Sequence, residues 1–215
     1  MALFKKIFKK INYLIQVSGY SRRYHRNDGV LKRLFLEHSN KGETMSLDIG
    51  SGPVPKNPFG AKALHGVDFR ENKENKVLYA DLSVGQLPFS DQSYDFATAF
   101  DLLEHIPRIS NIDGKTEFPL ILLMNEIFRV LKPGGIFFSS QPVFPGKAAF
   151  QDPTHVNIMT EDTLDLYFCE KAWARIYGFS GSFELMDDGW VGDKYFCFMK
   201  KVGVDQIFDL NFKQE

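Results

Sequence analysis

Short apolar runs that end in a carboxylate recur along the first half of the chain. Leu47-Asp48-Ile49 runs into Gly50-Ser51-Gly52-Pro53, Leu64-His65-Gly66-Val67 into Asp68-Phe69, and Tyr79-Ala80 into Asp81-Leu82. A fourth run, Tyr94 to Phe100, leads into Asp101-Leu102-Leu103-Glu104-His105. Such runs read as buried strands. A helical stretch from Leu120 to Leu131 stops at Lys132-Pro133-Gly134-Gly135, and a strand restarts over Ile136 to Ser140. Near the end, Phe183-Glu184-Leu185-Met186 and Lys194 to Met199 read as strands joined through the turn-rich Asp187-Asp188-Gly189.

In a doubly wound sheet the ligand lies at the carboxyl ends of the strands, where strand order reverses. Acids at consecutive strand ends then converge on one crevice. Gly50 and Gly52 suit a turn whose backbone presses against that ligand, because glycine tolerates positive φ and has no Cβ. Many strand-to-helix turns carry the same pair without a ligand, so the neighbours must decide. A dinucleotide site needs a third glycine, with the pyrophosphate resting on a helix N-terminus. Here that position is Pro55, and Pro53 and Pro55 both remove N–H donors that a pyrophosphate would use. Asp48 would repel a phosphate and instead suits the amino-acid end of a zwitterionic cofactor. Asp68, sixteen residues after Gly52, suits a carboxylate that accepts both ribose hydroxyls.

The joint order LDIGSGP (47–53), GVD (66–68), ADL (80–82), LPF (87–89), YD (94–95), DLLEH (101–105) and LKPGG (131–135) resembles the class I S-adenosylmethionine-dependent methyltransferases over residues 45–145. The resemblance implies an α/β, Rossmann-like, doubly wound sheet of seven mainly parallel strands with an antiparallel C-terminal pair. It also implies S-adenosylmethionine as cofactor. On that resemblance Asp48, Gly50, Ser51 and Gly52 form the cofactor turn, and Asp68 and Phe69 stand at the ribose. Asp81 and Leu82 would flank the adenine, Asp81 taking its exocyclic amine, and Phe100 and Asp101 would sit beside the methionine portion. Asp81 also reads as a cap or turn residue. The family pattern often has a third small residue near Pro53–Val54; its loss here leaves the course of the loop open.

The length of 215 residues suits one domain: a basic helical cap over 1–40, a cofactor core over 45–145, and an acceptor-side segment with the last strands over 146–215. A hydrophobic content of 44% with 21 Phe can fill a substantial core. Two cysteines, Cys169 and Cys197, stand far apart in no metal spacing, which points to a reduced, cytoplasmic setting. Net charge is −1, but nine Lys/Arg against one acid up to Arg33 give +8 there and leave −9 for the rest. That acidic remainder argues against nucleic acid as a partner. Phe4, Ile7, Phe8, Ile11, Leu14 and Ile15 recur at helical spacing among lysines, with no cleavage site after them. Such a helix suits a lid, a dimer contact or peripheral attachment to the inner face of an anionic membrane. Monomer and homodimer both stay open.

Methyl transfer is an in-line displacement at a sulfonium carbon, so the protein must position the acceptor and, for an oxygen acceptor, help remove its proton. Two regions follow carboxyl ends of strands and carry suitable groups: Asp101-x-x-Glu104-His105 and Gln151-Asp152-Pro153-Thr154-His155-Val156-Asn157. His155 is the leading base candidate, with His105 and Glu104 beside it in the catalytic set. A loop histidine bonded to backbone is the plain alternative. Acid-x-x-Glu-His followed much later by His resembles the metal motif of small-RNA 3′-end methyltransferases and of ubiquinone-pathway O-methyltransferases. That implies Asp101, Glu104, His105 and His155 as ligands of a divalent metal, Mn²⁺, Fe²⁺ or Zn²⁺ before Mg²⁺. Asp101 stands where those families have Glu, one methylene longer. Asp152 to Val156 also resembles a segment of bacterial surface-polysaccharide and glycolipid methyltransferases, which implies a sugar hydroxyl.

The expectation is therefore O-methylation of a small-molecule or glycan hydroxyl. The alternatives are metal-assisted methylation of a catechol-like or quinone-precursor ring, or a non-catalytic cofactor-binding module. The inserted loop Pro107 to Phe118 and the aromatics Trp173, Tyr177, Trp190 and Tyr195 are expected to shape the acceptor pocket.

Overall fold

The computed structural model describes residues 25–26, 28–39 and 42–202. The lysine-rich segment Met1 to Ile15 lies outside these residues, and of the basic cap only its last part is described. Four parallel strands, β2 (Met45–Ile49), β3 (Ala63–Asp68), β4 (Val77–Tyr79) and β5 (Tyr94–Phe100), are joined by β8 (Leu131–Gln141). Strand β10 (Lys194–Lys201) runs antiparallel to β8 and to β9 (Phe183–Val191). A two-residue β1 (His25–Arg26) adds an eighth strand beside β9, giving the order β1-β9-β10-β8-β5-β2-β3-β4. The seven-stranded, mainly parallel sheet with its antiparallel pair is thus present, with one short strand appended.

Strand order reverses beside β2: the chain steps outward through β3 and β4, then returns to place β5 on the other side. The crevice of a doubly wound sheet forms at that reversal. The β2–β3, β3–β4 and β4–β5 crossovers contain no α-helix. In the first, Pro53, Pro55 and Pro58 oppose a helix, because proline lacks an N–H and clashes with the preceding turn. The loop packs by other means. Lys56 N–H donates to Asp48 at 2.8 Å, Asn57 exchanges bonds with the backbone of Ala61, and Phe59 is buried.

Helix α1 (Asp28–His38) covers one face of the sheet through Leu34 and Phe35. Phe35 meets Phe59, Phe138 and Phe198 at centroid distances of 4.9, 4.8 and 5.2 Å, and Phe59 stacks on Phe96 at 4.2 Å. Much of the phenylalanine content is spent here, where rings stand in for the missing crossover helices. Helix α2 (Pro119–Val130) buries Ile121, Leu123, Met124, Ile127 and Val130 on the opposite face. No helix among the described residues is long and apolar enough to cross a membrane.

Two expectations are corrected. Asp187-Asp188-Gly189 is not a turn but lies within β9, and the reversal falls at Gly192-Asp193. Asp188 accepts the Tyr195 hydroxyl, Gly189 faces Phe196, and the buried Trp190 continues the strand. The inserted loop contains a hairpin, β6 (Ser110–Ile112) and β7 (Lys115–Glu117), turned by Asp113-Gly114 with φ of 51° and 78°. Positive φ at both central residues is what a type I′ hairpin turn requires.

Candidate active site

The Gly50–Gly52 turn leaves β2 with φ of 66° and 62° at its two glycines. At Gly50 a Cβ would also lie 2.7 Å from Leu102 Cδ1, so Leu102 would have to move to admit a side chain. Asp68, 7% exposed at the end of β3, accepts the N–H of Gly52 at 3.0 Å and that of Arg70 at 3.1 Å. One carboxylate thereby pins the glycine turn to its own loop. A carboxylate offers about four lone-pair sites, so capacity remains for ribose hydroxyls. Gly52, Pro53, Asp68, Phe69, Arg70, Glu71 and Asn72 line a cavity of about 230 Å³ here. Phe69 is exposed, with the Arg70 guanidinium 4.2 Å from its ring centre.

Asp48 is 1% exposed, and both its oxygens are engaged: Thr98 Oγ1 donates at 2.6 Å and Lys56 N–H at 2.8 Å. Burial raises its pKa, and those two bonds with the Lys56 charge oppose the rise. Its part in the structure is to fold the proline loop back over β2. Ser51 is buried, its hydroxyl donating to Gly52 O at 3.0 Å. Asp81 accepts the Ser83 N–H at 2.9 Å and hydroxyl at 2.5 Å in a tight turn after β4, and Leu82 beside it is buried. Downstream, Glu126 takes the Leu87 N–H at 2.8 Å, and Arg129 reaches Phe89 O at 2.7 Å, so α2 clamps the Leu87-Pro88-Phe89 segment. This clamp was not legible, since on the sequence Glu126 and Arg129 look like an ordinary helical charge pair.

The second centre lies after β5 and β8. Asp101 sits at φ 51°, ion-paired with Lys194 at 2.6 Å, while Phe100 lies 4.5 Å beneath Lys56 Nζ. A 3₁₀ turn, Leu103–His105, follows. The post-β8 segment docks onto it: Asn157 donates its N–H to Glu104 O at 2.9 Å and its side-chain amide to Leu103 O at 3.2 Å. The docking brings Glu104, His105 and His155 together, with one ligand atom from each within 4.8 Å of the others. Asp101 is not in this cluster; its pairing with Lys194 turns it away, which corrects the four-residue set implied by the metal-motif resemblance.

The histidine tautomers follow from their partners. His105 Nδ1 lies 3.2 Å from Thr154 O and 3.0 Å from Thr154 Oγ1, whose hydroxyl donates to Asp152 at 2.6 Å. Both neighbours of that nitrogen are acceptors, so it carries the proton. His155 Nδ1 faces Ala149 O at 3.3 Å and carries its proton for the same reason. In its neutral form each ring then presents Nε2 as the lone pair for a proton or a metal. Glu104 is 1% exposed, and neither carboxylate oxygen has a partner. Burial pushes its pKa up to about 7, helped by the Asp101 and Asp152 charges and opposed by the closeness of its own backbone N–H and by Lys194. Asp152 is held below the usual range by the Thr154 hydroxyl and N–H, then by His155 and His105. The donor set of two imidazoles and one buried, unpartnered carboxylate fits Mn²⁺, Fe²⁺ or Zn²⁺ with positions left open. At the end of β8, Gln141 is buried with Oε1 unpartnered, a further polar group that its sequence context did not mark.

A cavity of about 380 Å³ is lined by residues of the same post-β5 and post-β8 segments, of α2 and of α3 (Thr163–Phe168). Of the residues expected to shape an acceptor pocket, Arg108, Phe118 and Tyr177 line this cavity, whereas Trp173, Trp190 and Tyr195 do not. The Trp190 and Tyr195 side chains are buried against each other at 5.6 Å between the last strands.

Residues 47–139 match the family described as a methyltransferase domain. The chain is 36% identical over 129 residues to 24-methylenesterol C-methyltransferase 2 of Oryza sativa subsp. japonica, covering 51% of this chain and 32% of that one. It is 24% identical over 165 residues to demethylmenaquinone methyltransferase of Geobacillus sp. (strain WCH70), covering 67% and 64%. The chain therefore spans about a third of the first relative and just under two thirds of the second. The fold matches that of a SAM dependent methyltransferase from Aquifex aeolicus with a TM-score of 0.54 at 15% identity, over 92% of this chain and 98% of that one. With the acid-tipped strands, the pinned glycine turn and the 3₁₀ centre in place, residues 47–139 match a methyltransferase domain, and the chain has the fold of the S-adenosylmethionine-dependent methyltransferases.

Proposed function

We propose that the protein transfers the methyl group of S-adenosylmethionine to a hydroxyl oxygen of a small-molecule or glycan acceptor held against Glu104, His105 and His155. The observation that carries this is the convergence of three base-capable side chains with their acceptor atoms unspent. An aliphatic or sugar hydroxyl needs help to lose its proton, and a base whose pKa lies near the working pH serves best. His155, with Nδ1 anchored on Ala149 O, presents Nε2 to that proton. Glu104, poised near neutrality, is the second acceptor for it. Asp68 and Asp81 would hold ribose and adenine, and Gly50 to Gly52 would seat the methionine end. Transfer from methyl-labelled cofactor into a panel of glycans, nucleotide sugars and phenols tests this, with the product bond assigned by NMR. Label appearing on carbon alone, or His155→Ala turning over normally, overturns the assignment.

A second reading is favoured by the orphaned Glu104 carboxylate. Glu104, His105 and His155 would hold a divalent ion, which would supply Lewis acidity to an acceptor hydroxyl and lower its pKa. The related demethylmenaquinone methyltransferase carries a quinone substrate in its name, which keeps a quinone-precursor ring among the acceptors to assay. Calorimetric titration with Mn²⁺ and Zn²⁺ should show one site that weakens at least tenfold in Glu104→Gln. No uptake by the parent protein sinks the metal reading and leaves the proton-acceptor reading standing.

A further inference from the structure

The two segments that build the reactive cluster continue, a few residues later, into the wall of the 380 Å³ cavity. In the post-β5 segment Glu104 and His105 belong to the cluster, and Arg108 and Ile109 line the cavity. In the post-β8 segment His155 belongs to the cluster, and Asn157, Ile158 and Met159 line the cavity. Asn157 is the joint: buried, it ties both segments together through the backbone of Leu103 and Glu104. One polar centre and one apolar chamber are therefore built on the same two segments, linked through Asn157.

The chamber is apolar in depth. Ile121, Met159 and Phe168 are buried in its lining, and Phe118, Leu120 and Tyr167 pack against the same core. The Arg108 guanidinium is turned to Ile158 O at 2.6 Å, so the cation holds the wall together. At the rim, Ile109 is 63% exposed and Tyr177 is also open to solvent. Apolar side chains at a rim cost nothing when a ligand covers them, and a cavity of this size takes one ring system or a medium-length chain.

We propose that this chamber receives the hydrocarbon portion of an amphiphilic acceptor whose hydroxylated head lies at Glu104, His105 and His155. The acceptor class is then a hydroxylated head group on a lipid chain, rather than a free sugar. The proposal rests on the methyl-transfer reading above for the role of the head group, but the apolar subsite can be measured without turnover. n-Alkyl β-D-glucosides from methyl to octyl, kept below their micelle concentrations, are titrated directly into the full chain by isothermal calorimetry. Affinity should climb by roughly two- to fourfold per methylene, the range a buried methylene supports, until the chamber is full. Leu120→Trp, which fills the chamber, and Ile109→Asp, which charges an exposed rim position with little risk to folding, should each lose at least tenfold for octyl glucoside. Neither should change the affinity for methyl glucoside. Equal affinity across chain lengths, or octyl binding unchanged in both variants, overturns the proposal. S-adenosylhomocysteine titrated into the same samples reports the cofactor reading separately. Chain-length dependence without cofactor binding would condemn the methyl-transfer reading and leave the apolar subsite intact.

Discussion

The two ends of the crevice handle their buried carboxylates in opposite ways. At the cofactor end Asp48 and Asp68 are buried with every oxygen accepting an internal hydrogen bond, and the donors are mostly backbone N–H groups of the loops they shape. At the acceptor end Glu104 is equally buried and neither oxygen has a partner, and Gln141 nearby has an unpartnered Oε1. A buried polar atom left unpaired costs about 1–3 kcal/mol, and more if charged. The cofactor end therefore spends its carboxylates on preorganisation. The acceptor end holds its own in reserve for a proton, an ion or a ligand.

The largest effect that would break this contrast concerns Glu104 in protein stripped of divalent ions. Its folded pKa of about 7 lies above the ordinary 4.5, so between those values the native state binds more protons than the unfolded chain. Stability then falls as pH rises through that window, by about 3 kcal/mol in all, and stays reduced above it. Urea unfolding followed from pH 5 to pH 8 should show this decline in the parent protein. Glu104→Gln should lack that decline and be the more stable of the two at pH 8. A parent curve without the decline would mean that Glu104 has partners and is not held in reserve.

Next in size is Asp68→Asn, at the end where the carboxylate is already committed. A charge-assisted bond to the ribose is worth about 1.5–3 kcal/mol, so S-adenosylhomocysteine affinity should fall roughly ten- to a hundredfold by calorimetry. The change also loosens the anchor on the Gly52 N–H, so part of the loss comes from a less ordered turn. Unchanged affinity would remove Asp68 from the site.

The same contrast governs how much was legible in the chain. The cofactor end is built from local signals: a run of apolar residues, an acid, two glycines, then prolines. Each acts within a few residues of itself, so the strands and the turn could be read in order. The acceptor end depends on contacts across about fifty residues, such as Asn157 to Leu103 and Arg108 to Ile158. Sequence spacing carries no such information, and the family resemblance over-reached at Asp101, which Lys194 claims from β10. The β9–β10 reversal was misplaced because Asp187-Asp188-Gly189 has the composition of a turn. What keeps it in a strand is tertiary: the pairing with Tyr195 and Phe196. Asp113-Gly114, by contrast, is a local hairpin signal that acts within its own four residues.

A smaller effect sharpens the account of the cofactor end. Gly66 on β3 lies under the proline loop, where a Cβ would fall 2.6 Å from both Pro55 Cγ and Ser51 Oγ. The Pro55 ring cannot rotate away, so Gly66→Ala should overpack the junction and cost about 2 kcal/mol by thermal or urea unfolding. Because the displaced atoms belong to the turn itself, S-adenosylhomocysteine binding should weaken in the same variant. Weaker folding with intact binding would show that the turn is held by Asp68 alone.

The smallest effect separates two roles at one residue. Asp81 is exposed and accepts both Ser83 donors, a turn arrangement complete without any ligand. Surface changes of this kind usually alter stability by about 0.5 kcal/mol or less, so Asp81→Ala should unfold nearly as the parent does. If Asp81 also takes the exocyclic amine of adenine, the parent should bind S-adenosylhomocysteine several-fold tighter than S-inosylhomocysteine, in which a carbonyl replaces that amine and would face the carboxylate. Asp81→Ala should erase the preference by weakening the first ligand and not the second. The ratio of two affinities measured on one folded protein is insensitive to any general loosening of the loop. A preference that survives the substitution assigns Asp81 to the turn alone and moves adenine recognition to its neighbours.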